Sequence, residues 1–146
     1  MDVVVKNFEE LSTKELYELL QLRSEVFVVE QDCVYLDVDG KDERALHIMG
    51  WEDDMLVAYA RCFKAGDYFD KASIGRVLVR DNYRKLNYGH KITDAAIQAI
   101  KSKYEANTIK ISAQVYLVMF YESHGFKTIG DRYMEDGIPH IAMVRA

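Results

Sequence analysis

The sequence predicts an α/β domain, a mixed β-sheet with helices on its faces. Three observations predict it. Strand-like and helical segments follow the order β-α-α-β-β-β-α-β-α-β-β, and a sheet in such a chain buries its faces under helices. Between Ile74 and Ile100 an apolar run, a basic glycine-bearing turn and a long helical pattern succeed one another. The 146 residues hold one proline, eight glycines, no repeat and no linker, so residues 1–146 are expected to form a single domain.

Val3 to Phe8 reads as the first strand. Ser12 and Glu15 have capping-box spacing, and Leu16, Leu19, Leu20, Arg23, Val26 and Phe27 carry helix to about Val29. Ala45 to Trp51 and Met55 to Phe63 form a hairpin around Asp53-Asp54, and Ser73 to Arg80 is a fourth strand. The helix of 88–104 follows the basic turn. Ile109 to Ala113 alternates as a strand, Leu117 to Ser123 is helical, and Gly125 ends that helix. Lys127 to Gly130 and His140 to Val144 close the chain as strands.

Composition narrows the class. Apolar residues at 49% and charged ones at 29% are ordinary for a globular domain, while a formal charge of −5 argues against nucleic acid or an acidic membrane as partner. No apolar run reaches the ~18 residues of a membrane span, and the N-terminus shows no signal-peptide core. Cys33 and Cys62 stand far apart without a CxxC, which suits a reducing compartment, so a cytoplasmic location is expected.

The turn Asn82-Tyr83-Arg84-Lys85-Leu86-Asn87-Tyr88-Gly89-His90 is the most informative stretch. Free N–H groups and partial positive charge at a helix start favour an anion, Arg84 and Lys85 add full charge, and Gly89 permits close approach. Taken alone, the turn leaves a phosphate cradle and a solvated basic loop both open. Asp37, Asp39, Asp42 and Glu43 form an acidic loop that either attracts a cationic amine or faces water. An EF-hand is rejected, because aligning Gly40 to the sixth position puts Tyr35 first and Leu46 twelfth, where oxygen ligands belong. The four histidines show no metal-ligand spacing with the cysteines, so no metal is expected. Arg23 reads as a buried ion-pair partner or a site residue.

The element order with its basic turn resembles the GNAT superfamily of acyl-CoA-dependent N-acetyltransferases. Two blocks sharpen the resemblance to its ElaA-like subgroup. One is Leu22-Arg23-Ser24-Glu25-Val26-Phe27-Val28-Val29-Glu30-Gln31-Asp32-Cys33-Val34-Tyr35 with Asp37-Val38-Asp39-Gly40. The other is Ala113-Gln114, Phe120-Tyr121-Glu122-Ser123-His124-Gly125-Phe126 and Glu135-Asp136-Gly137-Ile138-Pro139-His140-Ile141. Lys85 and Asn87 depart from the superfamily's Arg-Gly-x-Gly-x-Gly/Ala turn, where glycines are common.

The resemblance implies transfer of an acetyl group from acetyl-CoA to a primary amine, by direct attack in a ternary complex and without a metal. The site would lie where the fourth and fifth strands splay apart. Leu86, Asn87, Tyr88, Gly89 and His90 would hold the pyrophosphate on their backbone, with Arg84 and Lys85 beside it. The pantetheine arm would pair with Val77, Leu78 and Val79, with an N–H of Leu78 or Val79 polarising the thioester carbonyl. Gln114 would bond that arm and Phe120 would pack on the cofactor or the core. Tyr121 would protonate the departing sulfur, and Glu30, Asp136 and His140 compete as general base. The acceptor would be a small-molecule or peptide amine, and a homodimer is left open. A catalytically idle acyl-CoA-binding sensor or scaffold is the alternative.

Overall fold

Seven apolar-patterned segments pair into one mixed sheet in the computed structural model, which describes residues 1–146. The strands are β1 (Asp2–Asn7), β2 (Leu46–Glu52), β3 (Met55–Phe63), β4 (Ala72–Val79), β5 (Ile109–Gln114), β6 (Lys127–Glu135) and β7 (Ile138–Arg145), ordered β1-β2-β3-β4-β5-β7-β6. Only β4 and β5 run parallel. The helices are α1 (Thr13–Arg23), α2 (Tyr88–Tyr104) and the short α3 (Val118–Glu122). No helix is long and apolar enough to cross a membrane.

Alternation along the strands divides the core in two. Ala58, Ala60 and Cys62 of β3 turn to one face and meet Ile92, Ala96 and Ile100 of α2 in the larger cluster. Tyr59, with Met49 and Leu78, turns to the other face and meets Leu19, Leu22 and Val26. The period of two on the sheet and of 3.6 on the helices makes each face apolar where it is covered.

Three elements differ from the sequence expectation. The capping box holds as expected, with Ser12 Oγ accepting from the Glu15 N–H at 3.0 Å and Glu15 Oε1 from the Ser12 N–H at 2.8 Å. The α-helix, however, ends at Arg23 and Ser24–Glu30 continues as a π-helix. Its wider turns are closed by bonds such as Gln31 N–H to Val26 O, 3.3 Å. The sixth strand extends beyond Gly130 to Glu135. From Ile129 to Tyr133, four steps of β6 face two of β7 (Ala142 to His140), so a bulge through Gly130 breaks the alternation that reveals a strand. The seventh strand starts at Ile138, two residues before His140.

Candidate active site

The sheet opens at its one parallel pair. β4 and β5 bond only at Ala72↔Ile109 and Ser73↔Lys110, then diverge, leaving Val77–Val79 without a strand neighbour on that side. A bulge sits at the divergence: β4 takes three steps from Gly75 to Leu78 while β3 takes two, from Arg61 to Tyr59. Arg76, inside the bulge, has φ +50, a left-handed conformation that costs a non-glycine residue about 1–2 kcal/mol. Its side chain anchors the distortion, donating from Nε to Asp37 Oδ1 at 2.8 Å and from Nη2 to Asp37 O at 3.0 Å.

A cavity of about 520 Å³ fills the splay. It brings together Glu30, Val77, Leu78, Val79, Arg84, Gly89, Gln114, Phe120, Tyr121, Asp136 and His140 of the residues expected at the site. Lys85, Leu86, Asn87, Tyr88 and His90 do not line it. They form the turn at its mouth, where Lys85, Leu86 and Asn87 are exposed. Asn87 takes the left-handed conformation (φ +65) that its residue type tolerates. The Tyr88 phenol turns away and donates to Glu52 Oε2 at 2.6 Å. His90 sits in the first turn of α2, its Nδ1 2.8 Å from His124 Nε2, and His124 Nδ1 is 3.0 Å from Asp94 Oδ1.

Along β4 the strand direction decides which backbone groups are free. The Arg80 N–H bonds Val57 O of β3 at 2.7 Å. Alternation therefore turns the backbone of Val79 toward the splay and that of Leu78 toward β3. The Val79 carbonyl accordingly receives Arg84 Nε at 2.9 Å. Arg84 also reaches across the mouth to Glu30, Nη1 to Oε2 2.5 Å, so the basic turn and the π-helix are tied together. Gln114 Nε2 lies 3.5 Å from Gln31 Oε1 on the same rim. A Cβ at Gly89 would stand 3.5 Å from the Phe120 ring and 3.9 Å from Val79, ordinary contacts.

Tyr121 is buried and opens on the cavity from α3, packed edge-on between Phe120 at 5.1 Å and Phe126 at 5.9 Å. Burial pushes its phenol pKa well above the ordinary value, so the hydroxyl is protonated at neutral pH. Opposite, His140 has Nδ1 2.7 Å from Ile138 O and Nε2 3.3 Å from Glu135 Oε2. Ser112 Oγ lies 3.3 Å from Glu135 Oε1 and also bonds the Tyr133 hydroxyl. Asp136 occupies the β6–β7 turn at φ +51, its carbonyl accepting from Cys33 Sγ at 3.1 Å.

The acidic loop is neither a solvated face nor a free attractor of amines at Asp37, Asp39 and Asp42. Arg23 Nε meets Asp37 at 2.8 Å and its Nη1 meets Asp42 at 2.6 Å. Arg61 meets Asp39 at 2.8 Å and Asp42 at 2.9 Å, and Arg76 completes the network on Asp37. Arg23 is thus a buried ion-pair partner. The sequence reading also lacked Glu135, Ser112, Ser73, Arg61 and Phe63 as cavity residues. No group of three His, Cys, Asp or Glu side chains gathers as metal ligands would.

Residues 9–146 match the family described as "Acetyltransferase (GNAT) domain". Protein ElaA of Escherichia coli (strain K12) is 44% identical over 138 residues, 93% of this chain and 90% of ElaA. The crystal structure of an acyl-CoA N-acyltransferase from Pseudomonas aeruginosa is similar at TM-score 0.93 and 41% identity, over 100% of both chains. Escherichia coli ElaA, as a crystal structure, gives 0.93 at 40% identity over 99% of each chain.

Proposed function

The chain belongs to the GNAT acetyltransferase family, and on that premise we propose that it transfers an acetyl group from acetyl-CoA to a primary amine by direct attack, with Tyr121 as general acid. The observation that carries the reading is the splay of β4 from β5, with Tyr121 opening on the cavity between them. The free edge at Val77–Val79 takes the pantetheine arm as a half-strand. Val79 rather than Leu78 supplies the N–H on that side, because the Leu78 N–H turns to β3. The turn from Arg84 to His90 takes the pyrophosphate at the start of α2, and Gln114 bonds the arm from the facing strand.

In the reaction the amine nitrogen attacks the thioester carbonyl carbon, whose oxygen gathers charge against the strand N–H. The C–S bond then breaks, the Tyr121 hydroxyl gives its proton to the sulfur, the attacking nitrogen releases its second proton to solvent, and the phenolate regains one from solvent. The amine must first lose a proton. Glu30 faces Arg84 at 2.5 Å at the mouth and Asp136 sits in the β6–β7 turn, whereas His140 lines the cavity with a carboxylate, Glu135, beside it, so His140 fits that role best. With Nδ1–H given to Ile138 O, Nε2 is the nitrogen that takes the proton, and Glu135 at 3.3 Å stabilises the imidazolium formed. The balance is one amide, one CoA thiol and one proton released.

The test is thermal unfolding of the purified protein with and without millimolar acetyl-CoA, then turnover of Tyr121→Phe. A ligand that binds only the folded state at about 100 times its Kd adds about 2.7 kcal/mol, a clear rise in Tm. Tyr121→Phe should lose about 10²–10⁴ in kcat with that rise intact. A rise without turnover in either protein would select the idle acyl-CoA binder. Gly89→Val should fold and lose the acetyl-CoA rise, since bulk at Gly89 blocks backbone approach; an undiminished rise would remove the turn from the cofactor site.

A further inference from the structure

The charges that line the cavity fall into two unequal sets. Its cations are Arg61, Arg76 and Arg84, and its anions are Glu30, Glu135 and Asp136. Each cation already has a carboxylate of the protein. Arg61 meets Asp39 at 2.8 Å and Asp42 at 2.9 Å, Arg76 meets Asp37 at 2.8 Å, and Arg84 meets Glu30 at 2.5 Å. No lysine lines the cavity.

Glu135 and Asp136 have no arginine or lysine partner. The one ion-pair partner of Glu135 is His140, Nε2 to Oε2 3.3 Å, a charged pair only when the imidazole is protonated. The Asp136 carboxylate pairs with no cation, and only its backbone carbonyl is bonded, accepting from Cys33 Sγ. Both residues are exposed, Glu135 with 46% of its side chain accessible, so a ligand can reach their oxygens. Ser112 Oγ donates to Glu135 Oε1 at 3.3 Å. A carboxylate only accepts, so the Ser112 proton is committed to Glu135 and the Tyr133 hydroxyl donates to Ser112. Two hydroxyls in line thus fix the Glu135 carboxylate beside His140.

With His140 Nε2 as the nitrogen that accepts the proton, the reacting amine stands beside Glu135. A free α-amino acid carries its carboxylate two bonds from that amine and brings a second anion within about 6 Å of Glu135. Like charges at that distance, at an effective dielectric of about 20, repel by about a hundredfold in affinity; screening at half-exposed groups reduces this to about tenfold. No free cation of the cavity offsets the penalty. A phosphate that displaces Glu30 from Arg84 adds one more unpaired carboxylate to the cavity.

We infer that the cavity selects a cationic amine with no carboxylate beside the reacting nitrogen, and rejects free α-amino acids. Glu135 and Asp136 determine this specificity, and Ser112 and Tyr133 position Glu135. Alkylamines and peptide N-termini both carry such an amine. The assignment rests on the acetyl-transfer reading, which sets the amine at His140, but its test is a binding test that stands apart from turnover.

The probes are phenethylamine with phenylalanine and isobutylamine with valine, pairs whose members differ only in the carboxylate. Affinities are read by NMR titration at neutral pH, on the CoA-saturated and the CoA-free protein. Each amine should bind at least about tenfold more tightly than its acid. Glu135→Gln combined with Asp136→Asn lies at exposed positions, and asparagine tolerates the φ of +51 at the turn, so the variant should fold. It should bring each pair to within about twofold, since the repelling charges are gone. In the wild type, raising the salt from about 0.05 to about 0.5 M should narrow the same ratio, a check that needs no variant. Phenylalanyl-alaninamide, with an amide in place of the carboxylate, should also exceed phenylalanine, and its rank against phenethylamine tells a peptide acceptor from a free alkylamine. Equal binding within the pairs, tighter binding of the acids, no binding of the amines, or a ratio unaltered in the variant or by salt would overturn the inference. A Tm rise with acetyl-CoA and equal binding of amine and acid sinks this inference alone. The amine preference without that rise sinks the acetyl-transfer reading alone.

Discussion

Two sets of arginine–carboxylate pairs border the same cavity, and burial separates them. Arg23 and Asp37 have side chains 0% and 2% exposed, whereas Arg84 and Glu30 are 39% and 40% exposed. Both pairs are close, 2.8 Å and 2.5 Å. The difference lies in what replaces a lost partner. Around Arg84 water or a phosphate can do so, and an exposed pair contributes about 0–1 kcal/mol. Around Arg23 nothing can, and the removal of one partner leaves a charge stranded in a low dielectric. The network is therefore architecture, holding the bulge at Arg76 and the loop of Asp37–Asp42 in place. The Arg84 pair is a connection that a ligand can exchange.

The strongest test of that contrast is Arg23→Met, which leaves Asp37 with Arg76 and Asp42 with Arg61 as their remaining guanidinium partners and takes one positive charge out of the buried network. A loss of about 3–5 kcal/mol is expected in denaturant unfolding. A loss under 1 kcal/mol would place the network with the surface pairs. Asp39→Asn should cost less, about 2 kcal/mol, as for hydrogen bonds to a charged group. Its pH dependence sharpens the point. Burial pushes the Asp39 and Asp42 pKa values up, but the guanidiniums of Arg61, Arg23 and, at Asp39, Arg76 outweigh it and hold both carboxyls below the ordinary carboxylate range. Because the folded pKa lies below the unfolded one, the stabilisation is complete above about pH 4 and is lost as pH falls through the folded value. The stability gap between the wild type and Asp39→Asn should hold constant from pH 7 to 5 and close below 4. A gap that widened in acid would reverse the assignment.

How much of this is legible in the sequence follows from how far apart the interacting residues lie. The basic turn, the strand before it, the capping box at Ser12 and the Tyr121 segment are local, and their periodicity and residue types place them within a residue or two. The acidic loop is misread because its partners are distant: Arg23 is 14 residues from Asp37, and Arg76 is 39 away. Local composition makes Asp37, Asp39 and Asp42 a solvent-facing run, and only the sheet pairing of β3 and β4 brings Arg61 and Arg76 above it. Glu135 escapes for a different reason. The bulge at Gly130 interrupts alternation in β6, so the half of the strand that faces His140 reads as loop. Ser73 and Arg61 carry no motif at all.

The smallest expected effect bears most directly on the exchangeable pair. Glu30→Gln removes the carboxylate that holds Arg84 and leaves a side chain of nearly the same size. Beside Glu30, Arg84 has its pKa raised, first by the hydrogen bond to that carboxylate, so the guanidinium is charged in both proteins. In the variant that charge is no longer neutralised at 2.5 Å, and a pyrophosphate at the turn meets a freer cation. Acetyl-CoA should bind a few-fold more tightly in calorimetry, with protein stability changed by under about 1 kcal/mol. Raising the salt from 0.05 to 0.5 M should shrink the gain, since screening acts on exposed charges. If Glu30 instead took the proton from the amine, the variant would lose turnover while cofactor affinity stayed level. That outcome would move the general base from β7 to the π-helix and make the Arg84 pair part of the chemistry.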